Sequence, residues 1–240
     1  MKKTDIHCHV LPGLDDGSDS WQESLQMIRM AAEQGFRAVT ATPHYSRRFP
    51  NDCPDKIRWM CQELNRLIRR ELNADIRVYP GQEIFYGEEV PKKLKRGELL
   101  TIAESSYVLV EFLPEVPYSS LFRGLEQLIL HGYRPILAHV ERYGVLRKEG
   151  RIEELFDYGV VLQMNYHSIG GSWFAENTQW CRKMLKAEKI HLLGTDMHNR
   201  TTRAPATEKA EQWMRRHLNW QYVQKIAYKN ARLVLTNEKL

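Results

Sequence analysis

The stretch Asp5-Ile6-His7-Cys8-His9, followed by Asp15-Asp16-Gly17, decides the fold of this chain. Residues i and i+2 of an extended strand point to the same face, so His7 and His9 can hold one metal ion between them. Two ordinary polar residues in a strand give the same pattern, so this motif alone is weak evidence. Its weight comes from donors of the same kind that recur along the chain.

Further imidazoles and carboxylates follow or end apolar runs that are typical of buried parallel strands. These candidate donors are His44 in Ala-Thr-Pro-His, Glu83 in Pro-Gly-Gln-Glu, Glu111 in Val-Leu-Val-Glu-Phe, His139 in Ile-Leu-Ala-His, and Asp196 with His198 in Gly-Thr-Asp-Met-His. Donors at successive strand ends are what a multinuclear metal site on a β/α barrel requires. A barrel places its first and last strands side by side, so the two pairs of donors spaced i, i+2 should face each other across the seam.

The hydrophobic pattern predicts strands and helices in alternation, which indicates βαβ units and a parallel sheet. The predicted strands lie near 4–7, 38–42, 76–80, 107–112, 134–138, 160–165 and 190–194. The predicted helices lie near 20–34, 54–72, 92–95, 120–131, 152–158 and 178–187, with two more at the C-terminus. The pattern contains no linker or low-complexity segment, and 240 residues suit one large α/β domain.

Composition excludes several classes of protein. Hydrophobic residues make up 42% and charged residues 27% of the chain, as in ordinary globular proteins. No apolar stretch approaches the ~20 residues of a membrane span, and Met1-Lys2-Lys3 leads directly into the first predicted strand. We therefore expect no membrane span, no signal peptide and a cytoplasmic location. The net charge of +5 is spread over helices among acidic residues, so no basic stripe predicts nucleic-acid binding.

The four cysteines are scattered and predict neither a disulfide framework nor a zinc finger. A catalytic cysteine whose thiolate lies in a phosphate-binding loop also needs an arginine six residues after it. The residues six positions after Cys8, Cys53, Cys61 and Cys181 are Leu14, Trp59, Leu67 and Ala187. The spacing excludes that mechanism.

Each candidate donor also has an ordinary structural interpretation. Glu111 at the end of a buried strand costs several kcal/mol unless it is metal-bound or forms an ion pair with an arginine. Asp16 fits an Asp-Asp-Gly turn, and His44 or His139 fits a hydrogen-bonded core histidine. His167, just beyond a predicted strand, is a further candidate for lining the site. Coincidence is nevertheless a poor explanation for nine such donors in one chain.

These motifs resemble the PHP (polymerase and histidinol phosphatase) superfamily, and more closely the bacterial metal-dependent protein-tyrosine phosphatases of capsule and exopolysaccharide loci, the CpsB/YwqE type. The matching stretches are 5–17, 41–44, 81–83, Glu111-Phe112, Ala-His-Val-Glu-Arg-Tyr at 138–143 and Asp-Met-His-Asn at 196–199. The Asp-Asp-Gly spacing and His-Val-Glu-Arg are the most specific of these. The stretches 165–167 and 200–202 depart from the familiar pattern, which leaves substrate preference open.

The resemblance implies a distorted TIM-like (β/α)7 barrel of the PHP type, with residues 1–240 as a single phosphatase domain. It implies three divalent ions, with manganese expected and iron, zinc or cobalt as alternatives. Carried over by position, the ligand sets are His7, His9, Glu83 and Asp196 for the first ion, Glu83, Glu111 and His139 for the second, and Asp16, His44 and His198 for the third. Arg142 and Arg203 match arginines that contact phosphate.

The implied function is hydrolysis of phosphotyrosine on a protein, with a bacterial tyrosine kinase of polysaccharide synthesis as the expected partner. Four carboxylate ligands against three divalent ions leave about two positive charges, which suits a phosphate dianion. The expected mechanism is in-line attack by a metal-bridging hydroxide without a covalent phosphoenzyme. Two alternatives stay open, a small-molecule phosphatase of the histidinol phosphate type and a non-catalytic PHP interaction module. Short predicted strand-to-helix connections favour an open site, and the intact donor set argues against the module.

Overall fold

A computed structural model describes all residues from Met1 to Leu240, and its centre is a curled parallel sheet surrounded by helices. The strands are β1 (Lys3–Cys8), β2 (Phe36–Ala41), β3 (His44–Tyr45), β4 (Arg77–Pro80), β5 (Glu83–Phe85), β6 (Tyr107–Glu111), β7 (Arg134–Leu137), β8 (Val161–Asn165) and β9 (Leu192–Gly194). The helices are α1 (Trp21–Glu33), α2 (Pro54–Leu67), α3 (Val90–Lys95), α4 (Tyr118–Leu130), α5 (Arg151–Asp157), α6 (Tyr166–Ile169), α7 (Glu176–Lys186), α8 (Glu208–His217), α9 (Trp220–Gln224) and α10 (Asn230–Leu235).

The strands form a closed ring of seven positions. One sheet has the order β1-β2-β4 and the other β3-β5-β6-β7-β8-β9, with every pair parallel. The short strands β3 and β5 follow β2 and β4 after two-residue breaks, so each pair occupies one position. The ring closes where the backbone N–H of His9 donates to Met197 O at 2.9 Å and that of Asp196 donates to His7 O at 2.9 Å. The predicted seven-stranded barrel and its seam are confirmed.

The structure corrects the ends of several predicted elements. The helix expected to run to residue 72 is α-helical only to Leu67 and continues as a π-helical turn to Leu72, before Asn73 in the left-handed conformation. The hydrophobic pattern also missed the breaks that separate β3 and β5 from the strands before them. Because each break redirects the chain, β3 begins with His44 and β5 begins with Glu83.

Apolar side chains fill the barrel below its polar end. A cluster of ten buried residues draws on β1, β6, β7, β8, β9 and α10. On β6, Tyr107 and Leu109 belong to this cluster and share a strand face with Glu111, because side chains alternate along a strand. The polar side chains at the strand ends are therefore held between an apolar floor and solvent. No helix in the structure combines the length and the apolar composition that a membrane crossing requires.

Candidate metal centre

The structure brings all nine candidate donors into one cluster at the ends of the strands. A first group lies at the seam of the barrel and consists of His7 Nε2, His9 Nε2, Glu83 Oε2 and Asp196 Oδ1. The Glu83 oxygen lies 3.2 Å from His7 and 3.3 Å from His9, and the Asp196 oxygen lies 3.5 Å from each ring. Four ligands of one tetrahedral ion at about 2.1 Å are spaced about 3.4 Å apart, so this spacing fits a divalent metal.

A second group shares Glu83 with the first. Glu83 Oε1 lies 2.8 Å from His139 Nε2, which is 3.4 Å from Glu111 Oε2. The other oxygen of Glu111 lies 3.1 Å from His44 Nδ1. Glu83 thus directs one oxygen into each group, which is the arrangement that a carboxylate bridge between two ions requires.

A third group gathers around Asp16 in the loop after β1. Asp16 Oδ1 lies 3.5 Å from His44 Nε2 and 3.4 Å from His198 Nε2, and His9 also lies within reach of these donors. His44 therefore faces two groups, with Nε2 toward Asp16 and Nδ1 toward Glu83 and Glu111. The resemblance assigned His44 to the third ion only, whereas this geometry allows it to serve either group.

The charges of the cluster balance one another. Burial favours the neutral form of Glu83, but the imidazoles of His7, His139 and His9 outweigh it and hold the pKa of Glu83 well below its ordinary value. Burial likewise opposes protonation of His139, but Glu111 and Glu83 raise the pKa of that ring to about 9. Without metal, protons on imidazoles therefore compensate the buried carboxylates, and a cation can take their place.

His198 has the form that a metal ligand needs. Burial and the neighbouring His9 lower the pKa of His198 to about 3, so its ring stays neutral. Its Nδ1–H donates to the backbone oxygen of Asp196 at 2.9 Å, which leaves the Nε2 lone pair free. His198 Nε2 and Glu83 Oε2 are also buried atoms without a hydrogen-bond partner. Because a buried polar atom without a hydrogen-bond partner is costly, each of these two atoms supports a bound cation.

Two of the donors have strained backbones. His139 has φ of 35° and Asp196 has φ of 53°, in the left-handed region that residues other than glycine rarely adopt. His139 comes just after β7, and Asp196 just after β9. Strain of this kind costs about 1–3 kcal/mol per residue and clusters at functional sites.

Sequence reasoning missed the residues that orient the donors. Asp15 Oδ2 accepts from His9 Nδ1 at 2.7 Å and from the backbone N–H of His44 at 2.9 Å. Gln163 Oε1 accepts from His7 Nδ1 at 3.1 Å and from the backbone N–H of His139 at 2.8 Å. These contacts fix which ring nitrogen faces the cluster. A polar Gln163 at the centre of the apolar strand β8 was the available signal.

Asn165 and Asp5 complete this outer layer. Asn165 Nδ2 donates to Asp196 Oδ2 at 2.9 Å, and Asn165 lies two residues after Gln163 on the same face of β8. Asp5 accepts from the backbone N–H of Thr195 at 3.1 Å across the seam. Burial raises the pKa of Asp5 to about 6. Asp5 therefore joins β1 to the end of β9 rather than joining the cluster.

Both predicted arginines reach the cluster through Asp196. Arg142 Nη2 lies 2.6 Å from Asp196 Oδ2, and Arg203 Nη2 lies 3.0 Å from Asp196 Oδ1. The backbone of Arg203 is fixed by its N–H, which donates to Asn199 Oδ1 at 3.0 Å. Glu141, which is adjacent to Arg142 in sequence, does not pair with either arginine and accepts from the backbone N–H of Asn165 at 3.1 Å.

The stretches 165–167 and 200–202, which depart from the family pattern, lie next to the donor groups. His167 is exposed in α6, directly after Asn165 and Tyr166. Thr201, within the unfamiliar 200–202 segment, donates its backbone N–H to Asn199 Oδ1 at 2.9 Å. This segment therefore belongs to the closed turn that positions Arg203. Neither stretch contributes to the three donor groups.

Comparison with known proteins finds relatives that match most of this chain. The tyrosine-protein phosphatase YwqE of Bacillus subtilis is 32% identical over 241 residues, which cover 98% of this chain and 92% of YwqE. The tyrosine-protein phosphatase CpsB of Streptococcus pneumoniae is 32% identical over 212 residues, which cover 86% of this chain and 87% of CpsB.

Solved structures extend the comparison to three dimensions. One crystal structure superposes on this chain with a TM-score of 0.88 at 31% identity, over 99% of this chain and 96% of the other. It belongs to work on YwqE from Bacillus subtilis and CpsB from Streptococcus pneumoniae, which are described as unique metal-dependent tyrosine phosphatases. A phosphotriesterase homology protein from Escherichia coli superposes with a TM-score of 0.62 at 13% identity over 97% of this chain and 98% of the other, which supports the barrel fold alone. The family model for capsular polysaccharide synthesis proteins CpsB/CapC matches residues 3–236. This chain therefore belongs to the CpsB/CapC family.

Proposed function

We propose that this chain is a metal-dependent phosphotyrosine-protein phosphatase, with residues 1–240 acting as one phosphatase domain. The observation that carries the proposal is the position of Glu83 between two donor groups, beside two arginines directed at Asp196. The printed names and the fold of the relatives at 31–32% identity support the same activity. The expected partner is the phosphorylated tail of a bacterial tyrosine kinase in capsular polysaccharide synthesis.

The donor groups suit three divalent ions, with manganese as the expected metal and iron, zinc or cobalt as alternatives. The proposed ligands are His7, His9, Glu83 and Asp196 for the first, Glu83, Glu111 and His139 for the second, and Asp16, His44 and His198 for the third. When bound, such ions lower the pKa of a coordinated water and neutralise phosphoryl oxygens.

The chain's own residues bind and orient the phosphate. Burial disfavours the charge on Arg142, but Asp196 and Glu83 outweigh it and raise its pKa, so the guanidinium stays charged. Arg142 and Arg203 can each donate two hydrogen bonds to phosphoryl oxygens, where negative charge spreads in the transition state. Asp15 and Gln163 hold the rings of His9 and His7 in fixed orientations. Preorganised donors of this kind lower the barrier because they need not reorient during the reaction.

The decisive experiment compares substrates and metals on one preparation. We expect protein stripped of metal to regain activity on a phosphotyrosyl peptide when manganese, iron, zinc or cobalt is added, and to hydrolyse histidinol phosphate poorly. Faster turnover of histidinol phosphate would favour the small-molecule phosphatase. Full activity in the stripped protein would refute metal dependence, and no hydrolysis with any metal would support the interaction module.

A further inference from the structure

A cavity of about 780 Å³ opens beside the donor cluster and has features that metal binding does not explain. Asp16, His44 and Glu111 border it on the cluster side. Its lining is mostly polar and charged, but the turn after β3 contributes Phe49 and the end of β5 contributes Phe85. Polar groups suit the phosphate end of a ligand, whereas the two rings suit an apolar group next to that phosphate.

Phe85 is placed over the cluster by the geometry of β5. Side chains at i and i+2 of a strand share a face, so Phe85 points to the same side as Glu83 and lies one step farther toward the mouth. In the sheet it pairs with Glu111 of β6. The ring is half-buried and lines the cavity next to a proposed metal ligand.

Phe49 approaches the same cavity from a fixed turn. Its ring lies nearly parallel to that of His44, at an angle of 12° with centroids 5.8 Å apart. The turn is closed by the backbone N–H of Ser46, which donates to Phe49 O at 3.0 Å. Asn51 Nδ2 anchors the turn by donating to His44 O at 2.8 Å and to Leu14 O at 2.9 Å. The Phe49 backbone is therefore held in place before a ligand arrives, which lowers the entropy cost of binding.

We propose that Phe49 and Phe85, here called the aromatic rim, bind the phenyl ring of the substrate and select aryl phosphates over alkyl phosphates. In identifying that ring as the side chain of phosphotyrosine, the proposal rests on the function proposed above. Phosphotyrosine places its phosphorus a full ring farther from the peptide backbone than phosphoserine does. A phosphate seated on the cluster therefore leaves the ring of phosphotyrosine at the height of the rim, where aromatic rings pair favourably at centroid distances of about 4.5–7 Å.

The test measures ring binding without turnover. Phenylphosphonate and methylphosphonate are titrated calorimetrically into manganese-loaded wild-type protein, Phe49→Ala and Phe85→Ala. We expect wild type to bind phenylphosphonate more tightly, and each variant to lose about threefold to tenfold in phenylphosphonate affinity, the scale of one aromatic pair. Affinity for methylphosphonate and metal content should stay unchanged. Phe49→Tyr and Phe85→Tyr keep a ring and should retain most of the selectivity, which separates a lost ring from a misfolded protein.

Phe174→Ala is the matched control, because Phe174 is 87% exposed and does not line the cavity. Equal weakening of both phosphonates in the alanine variants would overturn the proposal, since the rim would then only support the cluster. Equal binding of both phosphonates by wild type would overturn it as well. The phosphatase proposal fails separately, if wild type does not hydrolyse a phosphotyrosyl peptide, and the phosphonate ratio can be read in either case.

Discussion

The two ends of the donor cluster differ in their exposure to solvent. The buried half includes the seam donors His7, His9 and Asp196, whose side chains are at most 3% exposed. His139 and His198 are equally buried, at 2% and 1%. The open half, whose side chains are 14% to 42% exposed, consists of Glu111, His44 and Asp16. The buried half lies at the seam of the barrel, where Gln163 and Asn165 orient it. The open half borders the cavity of about 780 Å³.

This difference in exposure indicates that the two halves have different functions. Donors that are buried and oriented by an outer layer hold an ion tightly, because they lose little freedom on binding. Donors that face a cavity leave room for a ligand beside the ion. We therefore expect the buried half to retain metal and the open half to receive substrate. Glu83 connects the halves, because its Oε2 lies 3.2 Å from His7 Nε2 and 3.0 Å from His44 Nδ1.

The largest effect is expected at Glu83. Glu83→Gln removes the charge that both halves share, so bound metal should fall at both. Removing one charge-stabilising group usually lowers turnover by about 10²–10³-fold. Because Glu83 serves two donor groups, its loss should lower turnover by at least about 10³-fold. The fold should persist, because the apolar cluster below is untouched. The control is Asp16→Asn, the same change in the open half alone, which should lose less metal. Metal analysis and steady-state kinetics measure these effects. Normal metal content with near-normal turnover in Glu83→Gln would rule out a carboxylate bridge between two ions.

The arginines test whether substrate charge is bound beside the metals. Arg142→Ala and Arg203→Ala should keep their metal yet lose about 10²–10³ in kcat/KM on a phosphotyrosyl peptide. Arg142→Lys and Arg203→Lys should recover only part of the lost kcat/KM, because an ammonium lacks the planar pair of donors of a guanidinium. Arg200→Ala is the control, since Arg200 is exposed and bonds to Gln26 instead. An alanine variant with wild-type kcat/KM would remove that arginine from the site.

A smaller effect is expected in the outer layer of the buried half. Gln163→Met removes the acceptor of His7 Nδ1 and of the His139 backbone N–H while keeping the volume of the side chain. Metal affinity should fall by about 10–100-fold, the usual loss when such a partner is removed. Gln179→Met, on the exposed side of α7, should have no effect. Titration with a competing chelator measures the metal affinity of both variants and of wild type. A Gln163→Met protein with wild-type metal affinity would show that Gln163 does not orient the ligands.

Sequence reasoning found most of the candidate donors because they are polar side chains at the ends of apolar runs, a pattern that needs no knowledge of long-range contacts. The resemblance selected Asp16 as a candidate donor but gave Asp15 no role, because the turn between β1 and α1 decides where each carboxylate points. In the structure, Asp15 turns inward to His9 Nδ1, and Asp16 faces His44 and His198.

The aromatic rim could not be predicted from the sequence either. Phe49 and Phe85 are ordinary aromatic residues in sequence, 36 positions apart. Only the pairing of β3 with β5, and of β5 with β6, brings them to one cavity. Their place depends on the two short breaks that redirect β3 and β5, which a hydrophobic pattern does not reveal.

The cysteines provide the smallest expected effect and a direct check on the two halves. Cys8 lies between His7 and His9 in the buried half, where burial raises the pKa of its thiol well above the ordinary value. Cys53 is exposed before α2. Iodoacetamide should therefore modify Cys53 in the native protein and leave Cys8 intact, because alkylation needs an accessible thiolate.

Activity should survive this alkylation and disappear with a chelator, because the proposed chemistry uses no thiol. Peptide mapping by mass spectrometry, combined with an activity assay on the same samples, makes the test. Cys8→Ser tests the thiol without any reagent and should keep both metal and turnover. Loss of turnover in Cys8→Ser at unchanged metal content would mean that the buried half contributes a thiol to the reaction as well as holding metal.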